Sequence, residues 1–191
     1  MWRLSECHTL VLDLIYCNAS KCQVSRDVTA ARVSETRKFI TVRPAVESDI
    51  DDIDNLEAVV FGDDRWSLEM VKTTIAHPDT RVFIAEADAN GRPSFAGYCA
   101  LYFDGVDIDV TTIGVNEEFR RIGIGRAMME CLLAEARGLG GSKVRLNLRP
   151  GNSGARKLYE SLGFRSAGIV KDYYDSDGSD AETMVLEITG P

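Results

Sequence analysis

The sequence predicts an α/β layer fold, a mixed sheet with helices on its faces. Three observations carry that expectation. The 191 residues, 45% of them hydrophobic, are enough for one domain with a substantial core. From Phe39 onward, short runs rich in β-branched and aromatic residues alternate with stretches of helical period. The resulting order is β-α-α-β-β-β-α-β-α-β-β.

The elements follow in turn. "FITVRP" is the first strand, stopped by Pro44. Ser48 is placed to cap a helix whose Ile50, Ile53, Leu56, Val59 and Val60 share a face. Ser67 caps a second, "LEMVKTTIA", which ends before Pro78. "RVFIAEA" and "SFAGYCALYF" are strands joined across "DANGRP", where Asn90-Gly91 marks a turn. "VDIDVTTIGV" is the fourth strand. A loop with two glycines and a helix to Arg137 come next, closed by Gly138, Gly140 and Gly141. "KVRLNL" is the fifth strand, and Asn152 and Ser153 open a helix that ends at Gly163. "FRSAGIVKDYY" and "AETMVLEI" make a hairpin across "DSDGSD". Residues 1–38 show no persistent period.

The totals narrow the function. A net charge of −8 argues against a nucleic-acid binder and suits a basic partner, an amine or a Lys/Arg-rich peptide. The charge is uneven: residues 1–40 are net +2, which leaves −10 for the remainder. Five cysteines without tight spacing give neither a disulfide framework nor a zinc pattern. His8 and His77 lack neighbouring ligands, so no metal is expected. No run approaches the ~18 apolar residues of a membrane span, and no membrane partner is expected. "HTLVLDLIYC" holds Asp13 and has no small-residue cleavage site after it, so a cytoplasmic chain is expected.

The stretch "FRRIGIGRAMMECLLAEA" (119–136) is built like a phosphate loop. A helix N-terminus offers unpaired N–H groups and the positive end of its dipole. Gly123 and Gly125 clear side chains from the approach, and Arg120, Arg121 and Arg126 add positive charge. The Walker pattern G-x-x-x-x-G-K-[ST] is absent. The dinucleotide pattern G-x-G-x-x-G fails because Arg-Ala-Met follows Gly-Ile-Gly, late in a mixed sheet. Two readings stay open on the loop alone: R-x-x-G-x-G, a cradle for the pyrophosphate of coenzyme A, and a tight turn with no ligand.

The wider context resembles a known superfamily. "TIGVNEEFRRIGIGRAMM" in the middle and "RPGNSGARKLYESLGF" after the fifth strand are similar to the GNAT acetyltransferases over residues 39 to 188. Within that superfamily the chain looks most like the RimI-type ribosomal-protein-alanine N-acetyltransferases. "RWS" (65–67) resembles their P-W-S, with Arg65 for proline; "KDYY" (171–174) resembles R-x-x-Y-Y; "DAETM" (180–184) resembles D-A-x-x-M. The resemblance implies the GNAT acyl-CoA N-acyltransferase fold over 39–191, with acetyl-CoA as co-substrate. Backbone from Arg121 through Ile122, Gly123, Ile124 and Gly125 to Arg126, with Arg120, would hold the pyrophosphate. Ile113 and Val115 would align the pantetheine arm, Val115 offering an N–H to the thioester oxygen. Asn152 would meet the same arm, or cap its helix, or both.

Acetyl transfer to an amine needs a neutral nucleophile, a stabilised carbonyl oxygen and a proton for the leaving thiolate. Tyr159 lies two helical turns after Asn152, on the same face, and matches the family's general acid. RimI-type enzymes read L-E-V-R at the end of the fifth strand, with the glutamate as base. Here the place reads "LNLR", and Asn147 cannot take a proton. Asp109, with Asp107 two residues before it on the same strand face, is one candidate replacement. The other is no strong base at all. An α-amine with pKa about 7.8 is roughly a quarter neutral at pH ~7.4, and a lysine at about 10.4 only about 0.1%. That difference is comparable to a base's contribution of ~10² to 10⁴. An α-amine acceptor therefore tolerates Asn147 far better than a lysine does.

The resemblance implies, as acceptor, the N-terminal alanine of a basic ribosomal protein, acetylated by direct attack in a ternary complex. Glu57, Trp66, Tyr173 and Tyr174 are expected on the acceptor side, with Asp63, Asp64 and Glu69 nearby. Two other readings stay open: an acetyltransferase acting on a small-molecule amine or a protein lysine, and a weakly active acyl-CoA-binding module. Residues 1–38 have no counterpart in the family and are read as a flexible arm, a docking extension or an over-long start.

Overall fold

The computed structural model describes residues 16–18, 21–23, 40–89 and 92–188. One sheet organises them. Its strands are β1 (Tyr16–Asn18), β2 (Lys21–Gln23), β3 (Ile40–Pro44), β4 (Thr80–Ala89), β5 (Arg92–Phe103), β6 (Ile108–Val115), β7 (Lys143–Leu148), β8 (Arg165–Tyr174) and β9 (Ser179–Glu187). They lie in the order β1-β2-β3-β4-β5-β6-β7-β9-β8. Every neighbouring pair is antiparallel except β6 and β7, so the sheet is mixed as expected. Strands β3 to β9 are the seven foreseen. β1 and β2 form a hairpin beside β3, and three residues each are too few to show a period. The remainder of 1–38, and the Asn90-Gly91 turn, lie outside the described residues.

Among the described residues, four helices cover the sheet: α1 (Ile50–Val60), α2 (Leu68–Ala76), α3 (Ile124–Gly138) and α4 (Ser153–Ser161). Strand alternation sorts them between the faces. On β4, Val82 and Ile84 face the α1–α2 layer with Ile53, Leu56 and Val71. Phe83 and Ala85 face the other way, toward Met128, Leu132 and Phe164 of the α3–α4 layer. The hydrophobic driving force therefore fixes both layers from one strand pattern.

Local chemistry at the helix starts agrees in two cases and differs in one. Ser67 accepts from the Met70 N–H at 3.2 Å, as a cap should. Asn152 accepts from the Ala155 N–H at 3.1 Å. Ser48 does not cap α1. It lies in a 3-10 turn, Glu47–Asp49, and Asp49 takes the role of the local anchor. The Asp49 carboxylate accepts from the Val46 N–H at 2.8 Å and holds Arg43 at 2.7 Å. The Arg43 guanidinium keeps that carboxyl below its ordinary range. The expected α1 face is also corrected at one position. Val59 is 74% exposed, and Glu57 points inward at 1% exposure. Ile53, Leu56, Glu57 and Val60 follow helical period, and Val59 falls off that face.

Candidate active site

The site begins where the sheet fails to close. β6 and β7 pair only over Ile108–Val110. Beyond that, Thr111–Val115 and Asn147–Leu148 part company. A register shift opposite Ala100 and Leu101 leaves Thr111 unpaired on β6, and such a bulge bends a strand away from its neighbour. The wedge opens into a cavity of about 1050 Å³, at the upper end of ligand-site volumes.

Strands β6, β7 and β8, helices α1 and α4 and the turn between α1 and α2 wall it. Ile113 and Asn147 come from the parted strands, and Asn152 and Tyr159 from the start and middle of α4. Glu57 and Trp66 come from the α1–α2 side, and Tyr173 and Tyr174 from the end of β8. Eight residues singled out in the sequence thus meet in one place.

Tyr159 is 5% exposed and packs at a tilt on Phe164, with ring centroids 5.9 Å apart. Its hydroxyl has no hydrogen-bond partner among the described residues. Burial raises its phenol above the ordinary value, so it stays protonated at neutral pH, as a proton donor must. Asn147 is exposed on β7, and its Oδ1 accepts from the Thr183 hydroxyl at 2.7 Å. Its side chain orients; it does not accept a proton. The Asn152 carbonyl serves as the α4 cap, while its amide nitrogen makes no hydrogen bond among the described residues.

Glu57 is the one fully buried carboxylate on the cavity wall among the described residues. It accepts from the Trp66 N–H at 2.5 Å and from the Tyr98 hydroxyl. Burial pushes its carboxyl upward, against the lowering effect of these two donors. Tyr98 is in turn held protonated by burial and by the adjacent Glu57. The sequence placed Glu57 on the acceptor side through its charge. The signal it lacked is burial, which only the packing of α1 on the sheet shows.

Asp109 lies on the part of β6 that pairs with β7. It does not line the cavity, and Arg145 takes both its oxygens, at 2.8 and 2.9 Å. Asp107 shares that arginine at 3.5 Å and accepts from Ser142 at 2.8 Å. Asp109 and Arg145 are register partners on the paired part of β6 and β7, so the ion pair follows from the strand alignment. The pair fastens β6 to β7 where the two strands are aligned.

The glycine loop lies away from the cavity wall, at the start of α3. Arg121 and Gly123 both have left-handed backbone, at φ 63 and 101. Positive φ at two places in so short a loop lets its N–H groups converge, as an anion nest requires. The first N–H groups of α3 have no partner inside the helix. Arg120 braces the loop by donating from Nε to the Val115 carbonyl at 3.1 Å. A Cβ at Gly125 would sit 3.3 Å from Leu158 Cδ2 and 4.0 Å from Val115 Cγ2. Loop, β6 end and α4 therefore converge, and Ile122 packs beneath them against the core. The Arg126 side chain donates to Ser161 and to Glu130, the latter at 3.4 Å. This cradle fits a pyrophosphate, and the parted strands fit an extended arm leading from it to Tyr159.

Among the described residues there is no group of metal-ligating side chains, and no helix is long and apolar enough to cross a membrane.

Comparison with known proteins gives the same picture. Residues 49–164 match the acetyltransferase (GNAT) family. The chain is 32% identical to N-alpha-acetyltransferase RimI of Mycobacterium tuberculosis over 150 residues, 76% of this chain and 90% of that protein. It is also 32% identical to the ribosomal protein bS18-alanine N-acetyltransferase of Escherichia coli over 120 residues, 62% of this chain and 80% of the other. The crystal structure of the ribosomal-protein-S18-alanine N-acetyltransferase from Escherichia coli superimposes with a TM-score of 0.68 at 27% identity, covering 80% of this chain and 96% of that one. Arabidopsis thaliana NAA60, solved in complex with acetyl-CoA, shares the fold with a TM-score of 0.70 at 20% identity, over 80% of this chain and all of that one (100%).

Proposed function

This chain belongs to the acetyltransferase (GNAT) family and is an acetyl-CoA-dependent N-acetyltransferase, and we propose that its acceptor is the N-terminal α-amine, an alanine, of a basic ribosomal protein. The observation that carries this is the cavity itself. It holds a buried proton donor, Tyr159, and a buried carboxylate, Glu57, and Asn147 stands where a strong base would be.

The residues divide the work. The backbone of the 121–126 loop and the α3 N-terminus hold the pyrophosphate of acetyl-CoA. Val115 and Ile113 align the arm along the opened edge of β6, and the Val115 N–H serves the carbonyl oxygen as charge develops there. Trp66, Tyr173 and Tyr174 shape the acceptor's side. The neutral amine attacks the thioester carbon, so that a C–N bond forms as the C–S bond breaks. Tyr159 gives its proton to the leaving sulfur. The proton lost by the amine passes to Glu57, directly or through water, and Asn147 orients the amine. The acceptor's own pKa, about 7.8 for an α-amine, leaves little for that base to do. The chain works in the cytoplasm, where such acceptors are made.

The test is acetylation of a basic peptide that begins with alanine, with the modified atom located by mass spectrometry. Acetyl on the α-nitrogen is expected. Acetyl-CoA binding without transfer to that peptide would turn the assignment to a small-molecule amine or to an acyl-CoA-binding module.

A further inference from the structure

Arg149 has no part in the chemistry above, yet it makes the densest polar contacts on the cavity wall. It follows the last residue of β7, and Pro150 after it restricts it to extended backbone. Its guanidinium reaches in two directions. One nitrogen donates to Asp64, in the turn between α1 and α2, and to Ser176 at 3.2 Å. The other donates to Asp177 at 2.9 Å and to Ser179, both at the β8–β9 turn. The plane lies 3.9 Å from the centre of the Tyr174 ring, well inside cation–π range. One side chain thus ties together two turns that both line the cavity, alongside the direct contact of Asp64 with Ser176.

The strength of these bonds fits a fastening that can open. Arg149 is 36% exposed and its partner Asp177 54% exposed, and exposed ion pairs add little to stability individually. Their geometry is nonetheless specific. Bridging two carboxylates while stacking on a ring needs the planar fork of an arginine, which a lysine does not have. Two residues beyond Asp64, the Trp66 N–H holds Glu57, so the fastened turn is also the one that presents the buried carboxylate.

We propose that Arg149 is a clasp on the acceptor entrance, a positioning residue that holds the α1–α2 turn against the β8–β9 turn and so sets how tightly an acceptor peptide is held. The clasp acts on the acceptor and not on acetyl-CoA, because the glycine loop lies outside the walls it joins. The proposal rests on the reading of this cavity as an acceptor site for a peptide α-amine.

The test compares the full chain with Arg149→Ala and Arg149→Lys in two measurements. Steady-state rates against the alanine-initiated peptide should show the acceptor KM raised about fivefold to tenfold in both variants, with kcat little affected. Acetyl-CoA affinity, measured by calorimetry without acceptor, should not change. In a double-mutant cycle, Arg149→Ala and Asp64→Asn should be less than additive in acceptor KM, because they share the Arg149–Asp64 ion pair. Hydrogen exchange should speed up in residues 61–67 and 175–178 in both variants, whatever the true acceptor is. Unchanged exchange in those segments overturns the clasp. Faster exchange with an unchanged acceptor KM overturns its role in acceptor binding. Full rescue by lysine overturns the fork. A wild-type chain that acetylates no peptide α-amine, with exchange still responding to Arg149, removes the proposed acceptor and leaves the clasp standing.

Discussion

Replacing Tyr159 with phenylalanine separates catalysis from packing more cleanly than any other change in this site. The ring is 5% exposed and packs on Phe164, and phenylalanine keeps both the volume and that contact. The hydroxyl has no hydrogen-bond partner among the described residues, so its removal strands no donor or acceptor. The stability change should stay within about 0.5 kcal/mol, or about 2 °C in Tm for a chain of this size. A general acid contributes ~10² to 10⁴ in rate, about 2.7 to 5.4 kcal/mol of barrier. The predicted variant is therefore folded, binds acetyl-CoA with unchanged affinity, and has kcat lowered at least a hundredfold. Coenzyme A thiol release gives the rate, calorimetry the affinity and thermal unfolding the stability. A kcat within threefold of wild type refutes the assignment of Tyr159 as acid. A large fall in Tm alongside the loss of rate would show a structural role instead.

Three further outcomes follow from the same geometry. Burial raises the Glu57 carboxyl, so the native state holds that proton to higher pH than the unfolded chain does. Its ionisation therefore subtracts stability as pH rises from the ordinary carboxylate range through the raised value. Glu57→Gln should gain stability relative to wild type across that window, as denaturant unfolding at several pH values would show; parallel pH profiles of stability would contradict the expectation. Gly123→Ala finds room, with Ile40 Cδ1 at 3.8 Å, but must adopt φ 101. That strain, about 1 to 2 kcal/mol, should weaken acetyl-CoA binding about tenfold and leave acceptor KM unmoved, as calorimetry and steady-state rates would show. Ser67→Ala removes the α2 cap and should cost about 1 kcal/mol in denaturant unfolding.

Strands and helices from residue 40 on were legible because each carries its period over enough residues to be read. Ser67 and Asn152 were legible as caps for the same local reason. Val59 and Glu57 were not, because a helix with apolar residues on two adjacent sides leaves its inward direction to the sheet it meets. Asp109 and Arg145 sit 36 residues apart in the chain, and only the strand register brings the arginine that occupies Asp109 beside it. Tyr98 reads as ordinary strand core, and its contact with Glu57 appears only when α1 lies over β5. Arg149 lay in plain view in "LNLR", but its partners are 85 and 28 residues away. Motif reading found eight of the residues that line the cavity. The groups that hold them needed the fold.

The most direct measurement is the ratio of kcat/KM for two matched basic peptides at two pH values. One begins with a free alanine, and the other is N-terminally blocked and offers one lysine. With Asn147 in place of a strong base, the ratio should follow the neutral fractions of the two amines. It should be a few hundred at about pH 7.4 and fall roughly tenfold by about pH 9, as the lysine loses its proton. Comparable rates on both peptides at neutral pH would contradict the α-amine assignment and point to a base strong enough to deprotonate lysine.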